Sequence, residues 1–123
     1  VYSWPQAREK AAAADRIIRR RLALIGLRFE EIHTEFLGLN ACHGPIAAPC
    51  PDPPEVQLRI GVRDPDHDAV ERFTREIAPL VLNGPPTATG FGEGKPPVRE
   101  VVAYWSALIP REEISTSVEV YSV

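Results

Sequence analysis

The chain has 123 residues, of which 44% are hydrophobic and 25% are charged, a composition typical of a globular domain. Its formal net charge of −3 at pH 7 argues against a nucleic-acid partner or an anionic membrane surface. No apolar run approaches the roughly 18 residues that a membrane span needs, and the length predicts a single domain over residues 1–123.

Two cysteines in a chain of this size favour free thiols in a reducing compartment, so we predict a cytoplasmic protein. Residues 1–10 lack the charged start and apolar core of a signal peptide. The chain begins with Val1 and contains no methionine, and we therefore expect it to be a fragment, a processed product or one piece of a longer protein.

The first predicted element is a helix over residues 5–25. One helical face collects apolar residues at spacings of three and four: Ala7, Ala11, Ala14, Ile18, Leu22 and Ile25. Ser3 is placed to cap the start of this helix, and Gly26 is placed to end it. A basic patch lies off the apolar face: Arg16, Arg19, Arg20, Arg21 and Arg28. We interpret this patch as a solvated or ion-paired surface, with Glu30, Glu31 and Glu35 as available partners.

Two strands are predicted next. Within residues 29–39, one face carries Ile32, Thr34 and Phe36, and the other carries His33, Glu35 and Leu37. Residues 40–54 hold five prolines and predict a loop. The second strand alternates apolar with polar residues, and its apolar set is Val56, Leu58, Ile60 and Val62. With Arg59 or Arg63, His33 and Glu35 would line a polar sheet face.

Asp66 predicts the N-cap of a second helix. The apolar face of that helix holds Val70, Phe73, Ile77 and Leu80. Pro79 should bend or end it, and Asn83 with Gly84 should complete its end. Two further strands are predicted over residues 98–109 and 117–123, the latter with Val118 and Val120 pointing inward.

The order αββαββ predicts a two-layer α+β sandwich, with a four-stranded, mainly antiparallel sheet and two helices on one face. This order matches a ferredoxin-like βαββαβ unit whose first strand is missing or moved to the C-terminus. Because the first strand is central in that unit, we expect residues 117–123 to occupy the central position. The fold would then be a permuted version of the ferredoxin-like arrangement.

Residues 83–97, NGPPTATGFGEGKPP, raise the question of phosphate binding. A P-loop would need glycine where Thr89 stands and Ser or Thr where Pro96 stands. A dinucleotide-binding turn is excluded because the stretch follows a helix and precedes a strand. Two interpretations stay open: a connecting or subunit-contact loop, or an anion nest. The nest would use Gly90, Gly92, Gly94, Lys95 and Arg99.

Cys42, His43 and Cys50 lie within nine residues of one another. A zinc site would lack a fourth ligand, and the sequence predicts no metal and no cofactor. A disulfide between the two cysteines is geometrically allowed, although free thiols are the simpler interpretation. His43 stands as a candidate ligand contact on its loop, and no residue is assigned as catalytic.

Tyr104 and Trp105 lie in a predicted strand that is apolar on both faces. Such a strand must be covered twice, once by the helices and once by something else. A neighbouring subunit or the expected N-terminal region would supply the second cover. This is the strongest indication of association in the sequence.

Four stretches covering most of residues 14–113 carry a family resemblance: IIRRRL, EFLGLNACHGP, REIAPLVLNGPPTATGF and VREVVAYWSALIPRE. In these the chain resembles the C-terminal portion of the acyclic terpene utilisation (AtuA) family. The resemblance implies a large, mostly bacterial protein associated with the breakdown of citronellol and geraniol. It also implies a large N-terminal region, and it carries over no settled catalytic residues.

Two main functional hypotheses follow. The first is an accessory or interaction domain that supports its own N-terminal region or a homo-oligomer. The second is part of an enzyme acting on acyclic terpenoid acids or acyl-CoA thioesters, in which His43, Lys95 and Arg99 contact the anion of a small acidic or acyl-CoA ligand. A third hypothesis, a stand-alone sensor of small ligands, has no positive feature beyond size and fold.

Overall fold

The structure, a computed structural model, describes residues 1–46, 48–89 and 96–122. Its strands are β1 (Tyr2–Ser3), β2 (Glu31–Leu37) and β3 (Glu55–Arg63). Its α-helices are α1 (Ala7–Leu24), α2 (His67–Thr74) and α3 (Leu80–Asn83), and short 3₁₀ turns cover Gly44–Ile46 and Arg111–Glu113. The described residues therefore form a small α+β fold, as the sequence predicts.

The three strands form one antiparallel sheet in the order β1-β3-β2. β2 pairs with β3 from Glu31 opposite Arg63 to Leu37 opposite Gln57. β1 pairs with only the first two residues of β3, since Tyr2 lies opposite Val56 and Ser3 opposite Glu55. Because β3 is antiparallel to both neighbours, β1 and β2 run parallel, and α1 makes the crossover between them, as in a split β-α-β unit.

The core lies between the inner face of the sheet and helices α1 and α2. Its largest fully buried side chains are Ile18 and Leu22 of α1 and Val56 of β3. The alternation predicted for β3 is confirmed, because Val56, Leu58, Ile60 and Val62 face this core while the residues between them are more exposed. Ala7, Ala11 and Ala14 are fully buried too, and their small side chains let α1 approach the sheet closely.

The predicted first helix is confirmed within two residues at its start. Ser3 does not cap it, however: Ser3 belongs to β1, and the N-cap is Gln6, which has φ 60° and makes no side-chain capping bond. The error arose because a two-residue strand carries no periodicity by which to recognise it. At the other end, Gly26 has φ +74°, the left-handed conformation expected just after a helix.

The predicted cap of the second helix is confirmed, because Asp66 accepts a hydrogen bond from the Ala69 N–H at 3.1 Å. The helix itself is interrupted. α2 ends at Thr74, whose hydroxyl donates to the Glu71 carbonyl at 2.7 Å, and α3 begins after Pro79. Phe73 of α2 contacts Phe29 edge to face, with ring centroids 5.8 Å apart.

The strands predicted over residues 98–109 and 117–123 are wrong for the residues described. No strand forms between residues 96 and 122, and Tyr104 and Trp105 are 98% and 93% exposed. Val118 and Val120 are exposed rather than inward-facing. The physical reason is the lack of a partner, since alternating apolar residues form a strand only beside another strand that accepts their backbone hydrogen bonds.

The permuted arrangement is likewise wrong. Residues 117–122 do not enter the sheet, and β1 itself occupies the place beside β3. The first strand is thus present and short. Among the described residues the sheet has three strands instead of four.

Candidate functional site: an open strand edge and its groove

Among the residues that the structure describes, β3 has an open edge over most of its length. Residues 57–63 pair with β2 on one side, while β1 reaches only Glu55 and Val56 on the other. Beside this open stretch lies a groove of about 830 Å³, here called the edge groove. Its apolar lining includes Leu58, Ile60, Val62, Val70, Phe73 and Leu80. Unpaired strand backbone and apolar side chains therefore meet in one depression.

The N-terminus and the segment after the glycine-rich stretch also line the edge groove. Val1 and Tyr2 belong to the lining, as do residues 96–99. Arg99 is the charged residue of this second segment, and it also lines a neighbouring cleft with Arg63, Asp64 and His67. Arg99 thus adds a cation to the lining of an apolar groove.

The stretch Asn83–Thr89 is fastened to the sheet and does not form a free loop. Tyr2 bridges Ala88, and the Thr89 N–H donates to the Val1 carbonyl at 2.9 Å. The Lys10 ammonium donates to the Thr87 hydroxyl at 2.8 Å and to the Ser3 carbonyl at 3.3 Å. These contacts hold residues 87–89 along the outer edge of β1. Sequence patterns missed this role for Lys10 and Thr87, which lie 77 positions apart.

Of the predicted ligand contacts, the structure describes His43 and Arg99, and it places only Arg99 in the lining of the edge groove. Gly90, Gly92, Gly94 and Lys95 lie outside the described residues, so the anion nest stays a prediction. Arg99 lies at the edge groove, whereas His43 is exposed on the loop after β2 and is absent from the described residues that line the groove. Cys42 and Cys50 are both exposed free thiols, and the disulfide is not formed.

The outer face of the sheet is charged, as predicted from its alternation. Arg59 donates to the Glu35 carboxylate, and His33 Nε2 lies 3.5 Å from Glu35 Oε1. Arg63 donates to Glu31 at 3.1 Å. The Arg59 guanidinium is the main reason that the pKa of Glu35 is lowered below its ordinary value, and His33 adds a smaller effect in the same direction.

We expect the pKa of Glu35 to rise in an Arg59→Gln variant, because the hydrogen bond that favours the carboxylate is lost. The sign follows from the lowered pKa: the pair stabilises the fold above the unfolded-state pKa of Glu35, and this contribution is lost as pH falls through the folded-state value. Side-chain carboxyl NMR over an acid titration measures it. Arg63→Gln, which removes the partner of Glu31, is the control and leaves Glu35 unchanged; an unchanged Glu35 in Arg59→Gln contradicts the assignment.

Two arginines of the basic patch, both on α1, are ion-paired with partners other than those expected. Arg19 pairs with Asp15 at 3.0 Å, and Arg21 pairs with Glu76. Glu30, Glu31 and Glu35 pair instead with the arginines of β3. Strand pairing explains this difference, since it places Glu35 directly opposite Arg59 and Glu31 directly opposite Arg63.

No helix in the described ranges is both long enough and apolar enough to cross a bilayer.

These features define a class of protein: a small α+β domain with a split β-α-β sheet, an open strand edge and an exposed apolar C-terminal segment. The model of the family described as "Acyclic terpene utilisation family protein AtuA" matches residues 1–120, and the chain belongs to this family. Comparison with curated proteins found no match. Comparison with solved structures also found none.

Proposed function

We propose that this chain is an interaction domain of an AtuA-family protein and that it associates through its C-terminal segment, residues 98–122. The observation that carries the proposal is the exposure of large apolar side chains along this segment. They are Val101, Val102, Tyr104, Trp105, Leu108, Ile109, Ile114, Val118, Val120 and Tyr121. Isolated exposed apolar residues are ordinary, but a contiguous run of them is typical of an interaction surface.

The aromatic residues would contribute a large share of the free energy of association of this segment. A buried tyrosine or tryptophan removes about 150–250 Å² from water, and each square ångström of apolar area contributes roughly 25 cal/mol. Tyr104 and Trp105 gain almost none of this in the isolated chain because they are nearly fully exposed. Two partners would supply the cover: another region of the protein or a second copy. The cytoplasm is the proposed location, supported by the two free thiols.

Trp105→Glu is expected to abolish association, because a carboxylate cannot be buried in an apolar contact without a partner. Sedimentation velocity of the 123-residue chain over a range of concentrations measures this. We expect the wild type to sediment as a species larger than one chain and Trp105→Glu as a single chain. Leu82→Glu adds the same charge at a residue that is 88% exposed on α3, and it should behave as the wild type.

Self-association through residues 98–122 is contradicted if the wild-type chain sediments as a single chain at every concentration, or if Trp105→Glu associates as the wild type does. Unfolding of Trp105→Glu does not confuse the result, because Trp105 lies outside the core. Circular dichroism of both variants checks this directly.

A second candidate function rests on Arg99. The volume of the edge groove falls within the range of about 300–1,000 Å³ that small-molecule sites occupy, and Arg99 belongs to its lining. An acyclic terpenoid acid or its acyl-CoA thioester would place its hydrocarbon chain in the groove and its anion at Arg99. Lys95 and His43 were predicted as further anion contacts; Lys95 lies outside the described residues, and His43 is not among the described residues that line the groove.

A further inference from the structure

We propose that residues 98–109 of one copy occupy the edge groove of a second copy and pair there with residues 57–63 of β3. This inference rests on the proposed interaction function and names the partner as a second copy and the contact as added strand pairing. Two features of the described part of the chain suggest it: a strand edge with no described strand beside it, and an apolar segment that no described residue covers.

The first step concerns the open backbone of β3. The backbone N–H and C=O groups of an edge strand form a template onto which another extended segment pairs. β1 already uses the start of this edge, because Tyr2 lies antiparallel to Val56. An extended segment placed farther along the edge would face residues 58–62 and continue the same ladder. The backbone of β3 is therefore open to pairing with an added strand.

The second step concerns the side chains in the groove. Alternate residues of an added strand point to opposite faces of the sheet. One set would enter the apolar part of the groove, toward Val70, Phe73 and Leu80. Residues 98–109 supply a suitable set in either register, since Val102 and Tyr104 belong to one alternation and Val101 and Trp105 to the other.

The unpaired backbone of β3 favours a strand over a small ligand as the occupant of the groove. A hydrocarbon chain would fill the apolar part of the groove but would leave the unpaired backbone groups of β3 without hydrogen-bond partners. Buried backbone N–H and C=O groups are nearly always paired in folded proteins. A strand satisfies the backbone and the apolar side chains together, which is why it is the preferred occupant.

The third step concerns the source of the strand. Residues 96–99 of the same chain already line the groove, and by Tyr104 the chain is almost fully exposed. Pro96 and Pro97 restrict the exit to extended geometry and donate no backbone hydrogen bond, so the pairing segment starts only after them. Val98 and Val101 also line the neighbouring cleft with Val62 of the same chain, so the segment stays near its own β3 up to Val101. Beyond Val101 it leaves, and the groove of a second copy receives the part that contains Tyr104 and Trp105.

The fourth step concerns area. Tyr104 and Trp105 lie on opposite faces of an extended segment, so reciprocal exchange brings one aromatic ring of each segment into a groove. At about 150–250 Å² for each aromatic side chain, these two rings bury on the order of 300–500 Å². Stable interfaces bury about 1,200–2,000 Å² in total, so the aliphatic residues of the two segments and the groove walls need to contribute the remainder. The aromatic rings therefore supply part of the area that a dimer needs.

Amide hydrogen exchange resolved by NMR tests the inference, using the wild-type chain and Trp105→Glu at a concentration at which the wild type associates. We expect the amides of residues 57–63 that point away from β2 to exchange roughly tenfold or more slowly in the wild type than in the variant. Amides of the same stretch that point toward β2 are already paired and should not change. The outer edge of β2, residues 31–37, is a matched control, since it is also a sheet edge and should exchange equally in both proteins.

Each other outcome overturns the inference in a distinct way. A wild-type dimer without altered exchange at residues 57–63, or with protection on the β2 edge, removes strand exchange but leaves the interaction function standing. A monomer protected at residues 57–63 shows pairing within one chain. If the amides of residues 57–63 are protected only after a terpenoyl-CoA thioester is added, and the protein stays a single chain, the groove belongs to the second candidate function. A monomer with no protection removes both proposals.

Discussion

Ile18→Ala is expected to lower the free energy of unfolding by about 2–5 kcal/mol, the largest effect of any single truncation considered for this chain. Ile18 is fully buried on the inner face of α1 and belongs to the cluster that joins this helix to Val56 of β3. Truncation removes three carbons from a packed interior that relaxes only in part, so the loss combines transfer free energy with the cost of a cavity. Urea unfolding followed by circular dichroism measures it.

Ile17 provides the matched control because it is the same residue type one position away in the same helix. Its side chain is 42% exposed, so Ile17→Ala removes little buried area and replaces isoleucine with a better helix former. We expect a change within about 1 kcal/mol. Equal losses in the two variants would contradict the assignment of the buried face of α1.

Gly84→Ala is expected to lower the free energy of unfolding by about 1–3 kcal/mol, the usual range for forced overpacking. Gly84 ends α3, and its N–H donates to the Leu80 carbonyl at 3.0 Å. A Cβ at this position would overlap that carbonyl oxygen and lie 3.1 Å from the carbonyl carbon. The obstacle is backbone, so a change of side-chain rotamer cannot relieve it.

Gly61→Ala is the comparison, since a Cβ at Gly61 would meet nothing within 4 Å. Gly61 lies on the outer face of β3, opposite His33. The free energy of unfolding should change by no more than roughly 0.5 kcal/mol, because exposed positions tolerate such substitutions. If Gly84→Ala unfolds at the same urea concentration as Gly61→Ala, the close approach at Gly84 is not a constraint on the fold.

The elements with strong periodicity were predictable from the sequence. Ala11, Ile18 and Leu22 recur at helical spacing and are buried in α1, and the alternation around Leu58 and Ile60 gives β3 its inner and outer faces. Residues that recur at the period of a helix or a strand lie on one face of it, so an apolar pattern at that period shows which face is buried. Asp66 was predictable for a similar reason, since its cap depends on residues three positions away.

Partners distant in the chain were not predictable in the same way. The strand at Tyr2 is too short to show a pattern, and its assignment depends on pairing with Val56, which lies far along the chain. The edge groove lies beside β3 because β1 pairs with only two residues of that strand, and no local sequence pattern indicates so short a pairing. Residues 98–109 show the opposite case: the apolar alternation is present, but these residues pair with no strand in the described part of the chain.

The stretch around Gly84 gains a structural interpretation. Gly84 permits the close turn at the end of α3, and Thr87 and Ala88 connect the following residues to β1 and to Lys10. The described part of NGPPTATGFGEGKPP thus joins helix α3 to the sheet. This junction gives Gly84, Thr87 and Ala88 a structural role. Residues 90–95 stay candidates for anion contact.

The most direct test of the strand-exchange proposal is an isotope-filtered NOE measurement on a mixed dimer of labelled and unlabelled chains. Strand pairing brings backbone protons of facing residues into close contact, so signals between chains identify the two segments that meet. We expect cross-strand NOEs between residues 57–63 of one chain and residues 98–109 of the other, with contacts from Tyr104 or Trp105 to Phe73. A mixed dimer in which residues 57–63 show NOEs only within their own chain would contradict the proposal.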